Sequence, residues 1–240
     1  MYRIVVLALA AALLVTVTAV VPADDPDHVG PLTIEELYLE QDVDMRVIGS
    51  QARSSSRQTK ALALQIVRAM LNDGRITRNN PELVPILRGL ALEGTGRKVR
   101  QGSDMVMNNF PEIRRSASQL LGEVGGDGAQ QALLEVLRVD DEPMVLAEAV
   151  YALGLIGSND NNEVTTGIAA MLRDQNRRPT PDNNLAFASL LALDRIAVAN
   201  NGIDDVYLIE TVLDVVSHGA YLRTVRMKAI DTLYRLRGDS

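Results

Sequence analysis

The sequence predicts an all-α fold: an α-solenoid of about four to five stacked helical pairs behind an N-terminal signal segment. Three observations lead there. Residues 110–157 repeat themselves. Shifted by 32 positions, Ile113, Ala117, Leu121, Gly122, Val124 and Gly125 fall on Val145, Ala149, Leu153, Gly154, Ile156 and Gly157. A further shift of 40 lands on Leu185, Ser189, Leu193, Asp194 and Ile196, and another 40 reaches Val225, Ala229, Leu233 and Leu236. Next, the chain is 47% hydrophobic but only 3% aromatic, so its apolar mass is the Ala, Leu, Val and Ile of closely packed helices. Last, Pro and Gly punctuate the chain between stretches of helical periodicity, with no low-complexity tract.

Met1 and Arg3 precede Ile4 to Val21, whose only polar members are Thr16 and Thr18. A basic start, an apolar run and the small residues Val21-Pro22-Ala23 make residues 1–23 a secretory signal, with cleavage before Asp24. The alternative is a membrane anchor, because eighteen apolar residues sit at the lower edge of a bilayer span. Either way the body is expected outside the cytoplasm, periplasmic or secreted, or tethered to the inner membrane if residues 4–21 stay attached.

Residues 24–50 form an acidic arm. Asp24, Asp25, Asp27, Glu35, Glu36, Glu40, Asp42 and Asp44 stand there against Arg46, while the rest of a chain of net charge −7 is almost neutral. The block reads as a solvated polar arm, or as one that folds back on a basic part of the array. Thr33-Ile34-Glu35-Glu36 has capping-box spacing and starts a short helix to about Gln41; residues 43–48 alternate too weakly to assign.

The solenoid itself is placed at 51–240. Residues 54–71 carry a helical stripe, stopped by Asn72-Asp73-Gly74, and Pro81 opens a second helix ended by Gly94. Residues 94–109 break the rhythm, as a spacer or a binding loop. The clearest pairs follow: 111–124 with 129–137, then 143–156 with 162–172. A polar loop over 174–184 leads to 185–199 and 206–216, and a basic helix over 220–236 is expected to cap the stack. Gly122 and Gly154 lie inside helices, where each costs about 1 kcal/mol relative to Ala. Their recurrence predicts neighbouring helices too close for a side chain.

The run Pro111-Glu112-Ile113-Arg114-Arg115-x-Ala117-x-x-Leu120-Leu121-Gly122-x-Val124-Gly125, and its copy from Glu142-Pro143 to Gly157, resemble the HEAT repeat, particularly the bacterial kind named after phycobilisome lyases. Asp194 and Tyr234 depart from it where the pattern prefers Gly. The resemblance implies a right-handed, curved solenoid whose inner face binds other proteins.

Chemistry is sparse. No cysteine is present, which excludes disulfides, thiolate metal sites, thiol nucleophiles and a lipid-attached N-terminal cysteine. The two histidines, His28 and His218, are too few for the His-Glu iron sites of hydroxylases in the wider HEAT class, and His218 reads as a helix-end residue. No Gly-x-Ser-x-Gly turn, phosphate-binding loop or dinucleotide fingerprint occurs. Asp140-Asp141-Glu142 reads as capping at a helix start, and Gly125-Gly126-Asp127-Gly128 as a connector. No catalytic, metal or cofactor-binding residue is assigned. An acidic lead-in before a balanced body argues against nucleic acid.

The function expected is a non-enzymatic protein-binding scaffold outside the cytoplasm, monomeric, with no cofactor. Alternatives are a chromophore-lyase-like or other HEAT-type enzyme and a tethered structural envelope component. Arg97, Lys98, Arg100, Arg173, Arg177, Arg178, Arg223 and Arg226 are the candidate surface for an acidic partner, drawn from second helices and connecting loops.

Overall fold

The computed structural model describes residues 34–96, 100–101, 105–106 and 108–238. Ten α-helices are seen among them: α1 (Ile34–Ala52), α2 (Arg57–Asn72), α3 (Leu83–Ala91), α4 (Pro111–Val124), α5 (Gly126–Val139), α6 (Pro143–Ile156), α7 (Glu163–Asn176), α8 (Asn183–Ala199), α9 (Val206–Ser217) and α10 (Arg223–Leu236). They stack in two layers. The even helices α2, α4, α6, α8 and α10 touch in succession along one side, and the odd helices α1, α3, α5, α7 and α9 along the other. Each unit meets its neighbours only, which is the construction of an α-solenoid.

Local sequence sets the helix ends. Pro111 and Pro143 sit at the first position of α4 and α6, where a missing N–H loses nothing. The Asp182 carboxylate accepts from the Leu185 amide at 2.8 Å, and Asp205 accepts from the Tyr207 and Leu208 amides at 2.9 and 3.3 Å. Gly125 and Gly157 close α4 and α6 at φ 74° and 75°, a backbone region that disfavours side chains.

The repeated residues are the core. Ile113, Ala117 and Leu121, their copies Val145, Ala149 and Leu153, and then Leu185, Leu193, Val225 and Ala229, are all buried in one cluster that runs from Met45 to Leu236. Ser189 takes the place of Ala117 and Ala149, and its hydroxyl donates to the Leu185 carbonyl at 2.8 Å, so the buried oxygen is satisfied within its own helix.

The two helix-interior glycines are seats for the next helix. A Cβ on Gly122 would stand 2.7 Å from Ala152 Cβ and 2.9 Å from Ala152 Cα; one on Gly154 would stand 2.7 Å from Ala192 Cα. The third seat holds Asp194, whose carboxylate pairs with Lys228 and, at 3.4 Å, with Arg235 of α10.

Several elements differ from the sequence reading. The short helix to Gln41 and the unassigned 43–48 are one helix, α1, which crosses residue 50. Met45 and Ile48 join the core, and Asp44 pairs with Arg75 at 2.7 Å, so this part of the acidic segment is built into the stack. Pro81 lies outside α3, which begins at Leu83. The loop at 174–184 shrinks because α7 runs to Asn176 and α8 begins at Asn183. Within 94–109 a short antiparallel ladder pairs β1 (Arg100–Gln101) with β2 (Met105–Val106), register Arg100 to Val106. The final helix is not a wholly polar cap, since Leu222, Met227 and Tyr234 are exposed on or beside it. Residues 1–33 lie outside the described residues, and with them the signal segment, His28 and Thr33. No helix of the described residues is long and apolar enough to cross a membrane.

Gly154→Ala tests the packing directly. At an open helical site the change gains up to about 1 kcal/mol. Here the incoming methyl meets backbone, and a net loss of about 1–3 kcal/mol is expected. Gly89→Ala, with nothing within 4 Å of the added carbon, should instead raise the melting temperature.

Candidate protein-binding surface

Two buried cations fix the ends of the units. Arg114, fourth residue of α4, donates through Nε to Asp140 Oδ2 at 2.6 Å and through Nη2 to Asp140 Oδ1 at 3.1 Å. Its Nη1 reaches Asn109 Oδ1 at 2.8 Å and the Glu93 carbonyl at 3.4 Å. The side chains of the pair are 3% and 0% exposed. The arginine therefore ties together the end of α3, the entry to α4 and the end of α5. Asp140 is the C-cap of α5 and also accepts from the Glu142 amide at 2.9 Å. This corrects the capping reading of Asp140-Asp141-Glu142, because the carboxylate is held by a guanidinium and the Glu142 side chain makes no cap bond. Lys60 acts similarly in α2, donating to the Ala52 carbonyl at 2.7 Å and Glu93 Oε2 at 2.9 Å.

Between α5 and α7, along the odd-numbered layer, lies a groove of about 900 Å³. Leu134, Leu137, Leu146 and Met171 floor it, and Asp141, Asp160, Glu163 and Asp174 rim it with Arg138 and Arg178. The two arginines are already matched, Arg138 to Glu163 at 3.6 Å and Arg178 to Asp174 at 3.0 Å. The balance is acidic. An apolar floor with a charged rim suits an amphipathic segment carrying cations, the opposite of the partner expected from the basic residues. Another cavity, about 730 Å³, opens between the end of α1, the start of α2 and α3, with Ala52, Ile86 and Leu90 as walls and Arg53, Lys60 and Glu93 at its edge.

Those of the eight expected binding residues whose side chains are described lie apart. Arg97 and Lys98 are outside the described residues, and Arg100 is placed as backbone in β1. Arg173 lies over the Tyr207 ring, 4.7 Å from its centroid, joining α7 to α9. Arg177 is exposed at the end of α7 and Arg178 enters the groove rim. Arg223 and Arg226 stand on the first turn of α10. The groove residues were missed because its floor is made of core positions and its acids are spread over three segments.

His218 caps α9, its Nδ1 accepting from the Ala220 amide at 3.3 Å and its ring edge-on to Tyr221 at 5.2 Å. Tyr221 is buried and donates to Asn176 Oδ1 at 2.8 Å. Burial, and then the negative charge of Asp182, pushes its hydroxyl from 10.0 up to about 12. Among the described residues no three His, Asp or Glu side chains converge to hold a metal ion.

The two five-helix layers, the glycine seats and the nearest-neighbour contacts define an α-solenoid. Residues 104–182, a third of the chain from the short ladder to the start of α8, match the family model for HEAT repeats, which supports a HEAT-repeat protein. HEAT repeats commonly serve as protein-interaction scaffolds and are typically not enzymes. No curated protein matches the chain.

Asp140→Asn or Arg114→Met leaves a buried partner without its counter-charge, and either should cost about 3–5 kcal/mol in chemical denaturation. Replacing both by apolar residues should recover much of that loss. Tyr221 sets an alkaline limit. Its folded pKa is the higher one, so its stabilisation is complete below pH 10 and disappears between 10 and about 12. Tyr221→Phe should flatten the stability profile across that window relative to the parent.

Proposed function

We propose that the protein is a non-enzymatic scaffold that binds another protein outside the cytoplasm, using the groove between α5 and α7. The observation that carries this is the groove itself: apolar floor and ionic rim on a face built from second helices and connecting loops. Binding surfaces of this kind combine a desolvated centre with a polar edge. The excess of Asp141, Asp160, Glu163 and Asp174 over the paired arginines favours a partner segment bearing Lys or Arg beside apolar anchors. The basic start and apolar run of residues 1–21 support export.

Ala170 and Thr166 are exposed groove residues, so substitution there spares the core. The protein purified from cells should bring down a specific partner, and Ala170→Arg should abolish that capture with the melting temperature unchanged. Capture of nothing specific, or of the same partner by the variant, would overturn the assignment. The intact mass of the native protein tests export: a chain beginning at Asp24 is the expected species.

A further inference from the structure

Among the described residues one odd-layer position is unfilled beside α9 and α10, and the molecule itself shows what fills the equivalent one. Arg226 is to α10 what Arg114 is to α4. Each is the fourth residue of its helix, follows the buried Ile113 or Val225, and precedes the buried Ala117 or Ala229 by three positions. Arg114 has its carboxylate, delivered by the end of α5, the odd-layer helix of the same unit. Arg226 has none among the described residues, and its Nε is buried without a hydrogen-bond partner. The other cations of α10 do not share this condition throughout: Lys228 and Arg235 are matched to Asp194, and Arg223 is exposed beside Leu222.

The odd layer tells the same story independently. Leu134 of α5 and Ala169 of α7 are 1% and 0% exposed, each beneath the next odd helix, whereas the corresponding Leu213 of α9 is 50% exposed. For Leu134 the cover is visible, since its Cδ2 lies 2.9 Å from where a Cβ of Gly167 would stand. An apolar seat on α9 and, on α10, a half-buried guanidinium whose Nε is buried and unmatched therefore border the place of one more odd-layer helix. The even layer differs. Its glycine seat is filled by Tyr234, 70% exposed, so a further even helix cannot approach as α6 does at Gly122.

We propose that this position binds an amphipathic helix of another protein, one whose apolar stripe finishes in a carboxylate that pairs with Arg226 as Asp140 pairs with Arg114. It extends the scaffold reading to a second surface and rests on it. Residues 24–27 and 239 fit the place poorly. Asp24-Asp25-Pro26-Asp27 is broken by Pro26 and has no apolar stripe. α10 ends roughly 20 Å from its first turn by helix rise, and Asp239 comes after that end in the sequence. A second copy would bring the acidic α1, with Glu35, Glu36, Glu40, Asp42 and Asp44, beside the exposed Glu210 and Asp214 of α9.

A fluorescent peptide of residues 126–142, the natural occupant of the Arg114 position, is the probe, titrated by anisotropy against the full chain. It should bind saturably, and bind about tenfold more weakly when its Asp140 is Asn or when the protein carries Arg226→Gln. Leu213→Asp, a surface change, should abolish binding with the melt unchanged. An Asp140→Arg peptide should regain affinity for Arg226→Asp protein. Absence of saturable binding, or binding indifferent to both Arg226→Gln and Leu213→Asp, overturns the proposal. Binding lost in Ala170→Arg but kept in Arg226→Gln overturns it too, by locating the peptide in the α5–α7 groove. Concentration-dependent dimerisation abolished by Arg226→Gln would make the occupant a second copy and overturn the choice of partner. Loss of the cellular partner on Ala170→Arg with no peptide binding at Arg226 would leave the groove assignment standing and end this one.

Discussion

Backbone-to-backbone approach at Gly122 and Gly154 is the constraint from which the rest of the stack follows. With the Cα of Ala152 and Ala192 under 3 Å from where a side chain would begin, α4, α6 and α8 are locked at one spacing and one register. Helices that close bury small residues efficiently, which is why Ala117, Ala149 and Ala186 are fully buried. The penalty of a glycine inside a helix is repaid by dispersion along the whole contact rather than by any single bond.

Polar ties then follow the same step. On the even layer Arg57 pairs with Glu112, Arg115 with Glu148 at 3.0 Å, and Arg195 lies on Tyr151 at 4.3 Å. On the odd layer Arg88 pairs with Glu135 at 2.6 Å and Gln131 donates to Glu163 at 2.9 Å. Exposed pairs of this kind contribute about 0–1 kcal/mol each, too little to hold the units together. What they do is penalise slippage, since sliding one helix by a turn breaks every tie on that face at once. The strong electrostatic element is the buried Arg114–Asp140 pair, which fastens α4 to the end of α5, while the same guanidinium reaches back to the Glu93 carbonyl beyond α3.

Much of this was legible in the sequence, for a physical reason. A solenoid is nearly one-dimensional, so contacts recur at the repeat period, and the stripe Ile113, Ala117, Leu121 announces its own copies. The close approach at Gly122 and Gly154 could be inferred because a costly residue was used twice in one place. Arg114 and Asp140 could not, being 26 residues apart with nothing in their spacing to show that α5 folds back to deliver the carboxylate. Their signal was present in one respect: an arginine directly after a core residue, on a helix whose neighbours on that side are apolar. The first helix was cut short because a run of carboxylates masked its periodicity, although Met45 and Ile48 carry the core stripe. The groove was invisible because it is a relation between two odd helices, and neither one advertises it.

The ladder of β1 and β2 sits in the connection between α3 and α4. The steps across that junction, Arg57 to Glu112, Arg68 to Gln119 and Arg88 to Glu135, are made by helices on either side and owe nothing to the connection itself. Closing a longer connection adds only about 0.6 kcal/mol for each doubling of its length. This junction is therefore where the chain can gain or shed residues while the helices keep their order, a natural place for one solenoid to diverge from another of the same core.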